Sequence, residues 1–399
     1  MRPHRVLAVI VREPCEQRLW TVPYATTVAA TALIFISIGI TIPVLPFFVT
    51  DTLDADESAV GLVFAAAAVS AVLCRPALGW IGDNRGRRIL LRLGSVLCAA
   101  GLLGHLLASD MTSLVVARLV VGAGQAGVMV AATTLAIDLS PKGRRGEASS
   151  YLFIALQVGL GTGPAIGEGF RHFGADAVWI AATATCLLSA GFASTLPRVR
   201  RRSSNERAAD GKRVNVDYGV AIRIGLLAGL GTLGFAGYLA FLPLYSSEIG
   251  VASTAGIFLL ASGTIAIVRL SAAKVPDRLG ARRVARASLV MLTIGFIVIA
   301  AWHSLPGLLV GTVVMAAGMS LLVPSLVLSA TAGVSEGEET RRMSAFTLFL
   351  DLGAALGPAM LGIVATSGSY ATAFAVCAGA AGVALVLLLR WVPARSQAG

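Results

Sequence analysis

Residues 75–88 read RPALGWIGDNRGRR, and this stretch follows a long apolar run. Asp83 and three arginines fall within its last six positions, together with Gly86. A related stretch, RLSAAKVPDRLGARR, occupies residues 269–283 and repeats an Arg, an Asp, a Gly and an Arg at a constant offset of 194 positions. The same charged turn therefore occurs twice in one chain, which predicts two copies of one structural unit.

The composition places these turns between membrane helices. The chain has 399 residues, of which 56% are hydrophobic and 13% are charged, whereas a soluble domain carries about 25% charged residues. Apolar runs of at least about 18 residues are typical of transmembrane helices. The sequence predicts an all-α membrane protein with twelve such spans, at 22–49, 58–81, 89–109, 112–138, 148–170, 177–196, 218–246, 252–273, 284–303, 306–331, 343–367 and 370–391.

The distribution of charge predicts the orientation. The net charge is +11, but basic residues in short loops mark the cytoplasmic side of a membrane protein, so we do not expect nucleic acid as a partner. With the N-terminus inside, 28 of the 32 Lys and Arg residues fall on the inner side. We therefore expect a multi-pass protein of a bacterial inner (plasma) membrane with both termini cytoplasmic. The expected parts are a tail at 1–21, six-helix bundles at 22–197 and 218–391, a linker at 198–217 and a tail at 392–399.

A second block repeats at the same offset. GLGTGPA at 159–165 and GAALGPA at 353–359 share Gly, Gly, Pro and Ala. Because each half contains an even number of spans, both halves enter the membrane from the same side, which predicts a pseudo-twofold axis along the membrane normal. Glycines at every fourth position, Gly159, Gly163 and Gly167, favour close helix packing, and Pro164 favours a kink.

Three motifs resemble those of the major facilitator superfamily. GWIGDNRGRR is similar to its cytoplasmic signature through Gly79, Asp83, Gly86, Arg87 and Arg88. ARLVVGAGQAG resembles its second motif through Arg118, and GLGTGPAIGE resembles the motif of its antiporters, except that Glu168 replaces the last glycine. The resemblance implies twelve helices in two pseudo-symmetric bundles around a central cavity. It also implies that Asp83 contacts the start of the eleventh span, near Met343 to Phe346, and that Arg342 joins this contact.

Charged groups inside the membrane are candidates for function. Asp351 falls near the middle of the eleventh span, where a low dielectric favours the protonated form of a carboxylic acid. We expect proton coupling through Asp351 and Arg118, although a structural Asp that is permanently protonated or paired with an arginine is the alternative. Arg75 and Arg269 each precede a cytoplasmic Asp, Asp83 or Asp277, by eight residues, and we expect them to extend towards their own loops as part of the gate.

The favoured function is export of a small amphipathic drug or metabolite by proton antiport with alternating access. Two alternatives remain: a sugar or metabolite carrier that protons do not drive, and a membrane sensor or assembly partner that does not transport. Enzyme activity, cofactors and metal sites are not expected, and we expect a monomer whose partners are a small-molecule substrate, protons and membrane lipid. The cavity is expected to include Gln125, Gln157, Phe35, Phe235 and Phe349.

Overall fold

The structure is a computed structural model that describes residues 19–141, 144–197, 218–272, 275–331 and 336–391. The linker at 198–217 and most of both predicted tails lie outside these ranges, so the predicted division of the chain stays a prediction. Twelve helices of 17 to 32 residues occupy the described ranges. We number them α1 (Val22–Thr41), α2 (Glu57–Arg85), α3 (Arg87–Leu106), α4 (Met111–Asp138), α5 (Arg145–Arg171), α6 (Ala175–Thr195), α7 (Tyr218–Glu248), α8 (Ala255–Ser271), α9 (Ala281–Ala301), α10 (Leu305–Thr331), α11 (Glu336–Ser367) and α12 (Tyr370–Trp391).

The described part of the chain contains ten helices that are long and apolar enough to cross a membrane. The other two long helices are α5, which is rich in glycine, and α8, which has 17 residues. These two helices contact each other, as do α2 and α11, and the two pairs form the main contacts between the halves. We call the end of the bundle at which α2 meets α3 the Gly86 end, and the opposite end the Glu57 end.

Two predicted spans differ from the observed helices because of proline. The first span was expected to run to residue 49, but α1 ends at Thr41, and a short helix, Leu45–Phe47, and a π-helical turn, Phe48–Thr52, follow. Pro43 and Pro46 lack the N–H that continues a helix. In the second half, α8 ends at Ser271 and a separate short helix, Val275–Leu279, follows. Pro276 stands there at the position of Gly82 in the continuous helix α2.

The offset of 194 seen in the sequence recurs in the helix contacts. A Cβ added at Gly163 of α5 would lie 2.6 Å from the Cα of Gly39 in α1. Gly357 of α11 contacts Leu233 of α7. Both of these residues lie 194 positions after Gly163 and Gly39, respectively. The α3–α4 contact at Gly101 and Val121 likewise recurs between α9 and α10 at Gly295 and Met315. The two halves therefore share one packing scheme residue by residue.

The repeated turn glycines have a conformational cause. Gly86 between α2 and α3 has φ +101°, and its counterpart Gly280 before α9 has φ +86°. A side chain is strained at such positive φ angles, whereas glycine adopts them at no steric cost. Arg88 at the start of α3 donates to the carbonyl of Ser194 at the end of α6. Its counterpart Arg282 donates in the same way to the carbonyl of Leu389 at 3.3 Å.

Candidate functional site

An ion pair joins the two halves in the interior of the bundle. Arg75 of α2 donates from both terminal nitrogens to the carboxylate of Asp351 in α11, with an Nη2–Oδ1 distance of 3.2 Å. The side chain of Arg75 is 37% exposed and that of Asp351 is 26% exposed. The pair is therefore only partly covered by protein, at a contact between the two structural halves.

The packing of α2 on α11 positions this pair. The helices run antiparallel, and Gly61 lies so close to α11 that an added Cβ would overlap the carbonyl of Pro358. Nearer the Glu57 end, Gly362 approaches the carbonyl of Glu57 at a Cβ distance of 2.5 Å. Glycines thus bring the two backbones together over one half of the interface, and the long side chain of Arg75 spans the remaining distance towards the Gly86 end.

The expectation that Arg75 and Arg269 extend towards their own loops is wrong. Arg75 binds Asp351 in the opposite half, and Arg269 of α8 donates from Nη2 to the carbonyl of Ser320 in α10 at 3.2 Å. A carboxylate or a carbonyl within the bundle supplies a closer acceptor than the loop does. The ion pair that the structural alternative for Asp351 assumed is therefore present, while proton coupling through Asp351 stays a prediction.

A sequence signal for this pairing was present. The family resemblance places Asp83 beside Met343, and the second and eleventh spans enter the membrane from opposite sides. Arg75 precedes Asp83 by eight residues, and Asp351 follows Met343 by eight residues. In antiparallel neighbours, equal steps away from a contact lead to residues that face each other, so the resemblance and the spacing together indicate the Arg75–Asp351 pair.

Arg118 lies apart from Asp351. It is 4% exposed in α4, and its guanidinium carbon lies 5.2 Å from the centre of the Phe64 ring. Its Nε has no hydrogen-bond partner within the described ranges. The ring face offers a cation–π contact to the buried charge. The structure therefore does not bring together the two residues to which we assigned proton coupling.

The other predicted gate residues lie at the Gly86 end. Arg87 forms an ion pair with Asp138 within the first half. Asp83 is exposed, while Gly79 has open space around it. Arg342 is 8% exposed and donates to the carbonyl of Ala330 at 3.4 Å. The side chains of Asp277 and of several residues near the start of α11 lie outside the description, so the contact of Asp83 with α11 stays a prediction.

The predicted cavity residues do not form one group. Phe35 is 4% exposed and packs on Gly159 of α5, so this structure does not present it to a cavity. Phe349 packs on Gly225 of α7, and Phe235 stacks on Tyr238 with 6.4 Å between ring centres. Gln125 and Gln157 are half-buried on α4 and α5. The glycines of α5 were expected to form a packing face, and Gly159, Gly163 and Gly167 lie against α1.

Sequence reasoning gave little weight to Glu168, which links the halves at the Glu57 end. Its carboxylate accepts hydrogen bonds from the hydroxyls of Ser253 and Thr254 and from the N–H of Thr254, the last at 2.5 Å. These donors precede α8, whose N-terminus attracts negative charge. A cavity of about 400 Å³ adjoins this contact, and Asp51 and Arg171 are among its lining residues. None of the five predicted cavity residues lines it.

A sequence profile of the Major Facilitator Superfamily matches residues 27–277 and 270–399. The chain belongs to the major facilitator superfamily. It is accordingly a multi-pass membrane transporter for small-molecule substrates and not an enzyme. The uncharacterized MFS-type transporter YhhS of Escherichia coli (strain K12) is 24% identical over 90% of this chain and 89% of its own length. An uncharacterized MFS-type transporter of Burkholderia pseudomallei (strain 1106a) is 28% identical, and the match covers 92% of both chains.

Solved structures confirm the fold. The nucleoside transporter NupG superposes with a TM-score of 0.72 at 15% identity, covering 92% of this chain and 98% of its own. The human organic anion transporter MFSD10 gives 0.70 at 19% identity, covering 92% and 99%. A bacterial homologue of the lysosomal transporter Spinster gives 0.73 at 16% identity, covering 94% and 96%. At these identities the likeness establishes the architecture alone.

Proposed function

We propose that the protein exports a small amphipathic compound in exchange for protons, with Asp351 as the proton carrier and Arg75 as its partner. The observation that carries this proposal is the ion pair between α2 and α11, because it belongs to both halves. Alternating access requires the halves to separate at one end and then at the other. A titratable group that bridges them couples this separation to proton binding.

The coupling follows from the charge of the carboxylate. Ionised Asp351 attracts Arg75 and holds α2 against α11. Protonation removes the negative charge and with it most of the attraction, so the helices separate more easily and the freed guanidinium is exposed to water. Deprotonation in the other conformation restores the pair. Since the ionised pair favours one conformation and the protonated acid the other, proton movement and substrate movement are linked through one equilibrium.

The orientation supports export across an inner membrane. The Gly86 end carries Arg85, Arg87 and Arg88 in one half and Arg282 and Arg283 in the other. Clustered basic residues favour the cytoplasmic side, so the Gly86 end and both chain termini are assigned to the cytoplasm. The contact of Glu168 with α8 then closes the outer end. We assign the transporter a monomeric state, because each chain carries both halves.

The test is substrate-induced proton movement in everted membrane vesicles across a broad panel of drugs and metabolites. We expect the wild type to move protons with at least one compound and Asp351→Asn to lose this movement. The matched control is Asp138→Asn, which removes the acid of another Arg–Asp pair, but within one half. A wild type without any proton movement contradicts the proposal, and an Asp351→Asn variant with unchanged transport supports the carrier that protons do not drive.

A further inference from the structure

Two arginines inside the described part of the bundle form no ion pair with another described residue. Arg75, Arg118, Arg269 and Asp351 are among the charged residues within the spans predicted from the sequence, as are Asp138 and Glu168. Arg75 and Asp351 neutralise each other. The structure shows no ion pair for Arg118 or Arg269 among the residues it describes. A charge in the membrane interior without a counter-charge is costly, so the two arginines leave positive charge that another group can neutralise.

The internal repeat shows where a counter-charge is missing. The offset of 194 that relates Arg75 to Arg269 also relates Gln157 to Asp351. Arg269 precedes its turn glycine Gly280 by 11 residues, as Arg75 precedes Gly86. The pairs therefore differ in one respect: the position that carries an acid on α11 carries a neutral amide on α5.

The contacts of α5 with α8 run in the same antiparallel sense as those of α2 with α11. Glu168 of α5 meets Thr254 of α8, and an added Cβ at Gly161 would overlap the side chain of Ser262. The helices are antiparallel. Gln157 lies one turn before Gly161, towards the Gly86 end, and Arg269 lies two turns after Ser262 in the same direction. The long side chain of Arg269 can therefore reach the level of Gln157. Gln157 is half-buried and lies one turn from Gly161, so it shares the face of α5 that meets α8 and carries no negative charge there.

Of the two unbalanced arginines, Arg269 is the accessible one. Arg118 is 4% exposed and covered by Phe64, whereas Arg269 is only partly buried. Its Nη2 donates to the carbonyl of Ser320, and its Nε has no partner among the described residues. A guanidinium has five N–H donors; Nε is buried and Nη2 is used, so the donors of Nη1 are the ones that can serve a ligand.

From these observations we propose that Arg269 binds an anionic group of the transported substrate, a carboxylate or a phosphate, and that Gln157 leaves room for it. The planar guanidinium donates two parallel hydrogen bonds to such groups. The substrate then supplies on the α5–α8 side the negative charge that Asp351 supplies on the α2–α11 side. This proposal rests on the proposed transport function and adds the chemical class of the substrate.

The test compares three probes that share a ring and differ in charge: 1-naphthoate, 1-naphthamide and 1-naphthylmethylammonium. Binding to the purified full-length protein is measured by titration of its thermal stability, which needs no proton gradient. A charge-assisted hydrogen bond in a partly buried site corresponds to about a tenfold difference in Kd. We expect 1-naphthoate to bind about tenfold more tightly than either other probe.

Two variants locate this preference, and two controls accompany them. Arg269→Gln is expected to bind 1-naphthoate and 1-naphthamide equally. Gln157→Glu places an acid on α5 at the position equivalent to Asp351 on α11. This variant retains Arg269, and it is also expected to bind 1-naphthoate and 1-naphthamide equally. Arg269→Lys should keep part of the preference, and Arg282→Gln, which alters an arginine at the Gly86 end of the same half, should keep all of it.

The outcomes separate this proposal from the transport proposal. A wild type that binds no anionic probe, or that prefers the neutral or cationic one, overturns the assignment of Arg269 even if the vesicles show proton exchange. An unchanged preference in both Arg269→Gln and Gln157→Glu overturns it as well. Conversely, if the preference for 1-naphthoate depends on Arg269 but Asp351→Asn leaves proton movement intact, the assignment of Arg269 holds and the proton-exchange proposal fails. If Arg269→Gln does not fold, Gln157→Glu decides the outcome.

Discussion

Removal of the carboxylate of Asp351 should shift the balance between the conformations of the transporter. The Nη2–Oδ1 distance of 3.2 Å indicates a direct contact, while exposures of 37% and 26% indicate partial solvation. Exposed ion pairs contribute about 0.2–1 kcal/mol, and loss of one partner of a buried pair costs about 3–5 kcal/mol. For this partly exposed pair we expect about 1–3 kcal/mol, which is about a 5- to 150-fold change in an equilibrium constant.

The shift can be measured as a distance between the two halves. Spin labels at Arg85 and Leu279, in a background without cysteines, occupy equivalent positions at the Gly86 end of each half. We expect Asp351→Asn and Arg75→Gln to enlarge the population with long distances, because each removes the attraction between α2 and α11. The double exchange Arg75→Asp with Asp351→Arg should restore most of the short-distance population.

Two results would refute this reasoning. One is an Asp351→Asn distance distribution identical to that of the wild type. The other is an equal shift in Asp138→Asn, because that variant removes an ion pair within one half and leaves the contact between the halves intact. Either result would mean that the pair between α2 and α11 has no influence on the separation of the halves.

Three further predictions concern other contacts. Glu168→Gln should weaken closure of the Glu57 end and raise the reactivity of cysteines placed in its cavity, whereas Glu147→Gln, which loses a contact within one turn, should not. Gly122→Ala should reduce the free energy of unfolding by about 1–3 kcal/mol and so lower the melting temperature, because the new Cβ overlaps the carbonyl of Ala67. Gly191→Ala, with open space around Gly191, should leave the melting temperature unchanged. Hydrogen bonds from the Ser58 hydroxyl and the Ala59 N–H lower the pKa of Asp56 in the folded protein. The ionised Asp56 therefore stabilises the fold fully above its ordinary pKa of about 4. This stabilisation is lost as the pH falls through the lowered pKa of the folded state. The difference in melting temperature between the wild type and Asp56→Ala should therefore shrink from pH 7 to pH 3.

The sequence predicted the features that depend on the backbone and on periodicity. Gly86 and Gly280 were recognisable because few other residues tolerate their positive φ angles. The glycines of α5 and α11 were recognisable because every fourth residue of a helix returns to one face. These local rules, applied twice at one offset, predicted the helices and the repeat, whereas the superfamily came from the resemblance of three motifs to a known family.

The partners of the polar side chains were harder to predict. Arg75 and Asp351 are 276 positions apart, and their pairing depends on which helices of opposite halves meet. Glu168 appeared only as a departure from a glycine motif, because its donors belong to the residues before α8. Such contacts depend on three-dimensional proximity, for which one sequence gives a signal only when the neighbouring helices are already known.

The constant offset of the helix contacts has a consequence for protein engineering. The contacts of Gly101 with Val121 and of Gly163 with Gly39 each recur 194 positions later in both partners, so the helices that make these contacts, α1, α3, α4 and α5, keep their spacing between the copies. A chimaera that joins two N-terminal halves in tandem would therefore be expected to retain compatible helix spacing. It would carry Arg75 in both copies and Gln157 in place of Asp351 in both. Comparison with the natural chain would therefore show which properties require the carboxylate of Asp351 and which require only the helical frame.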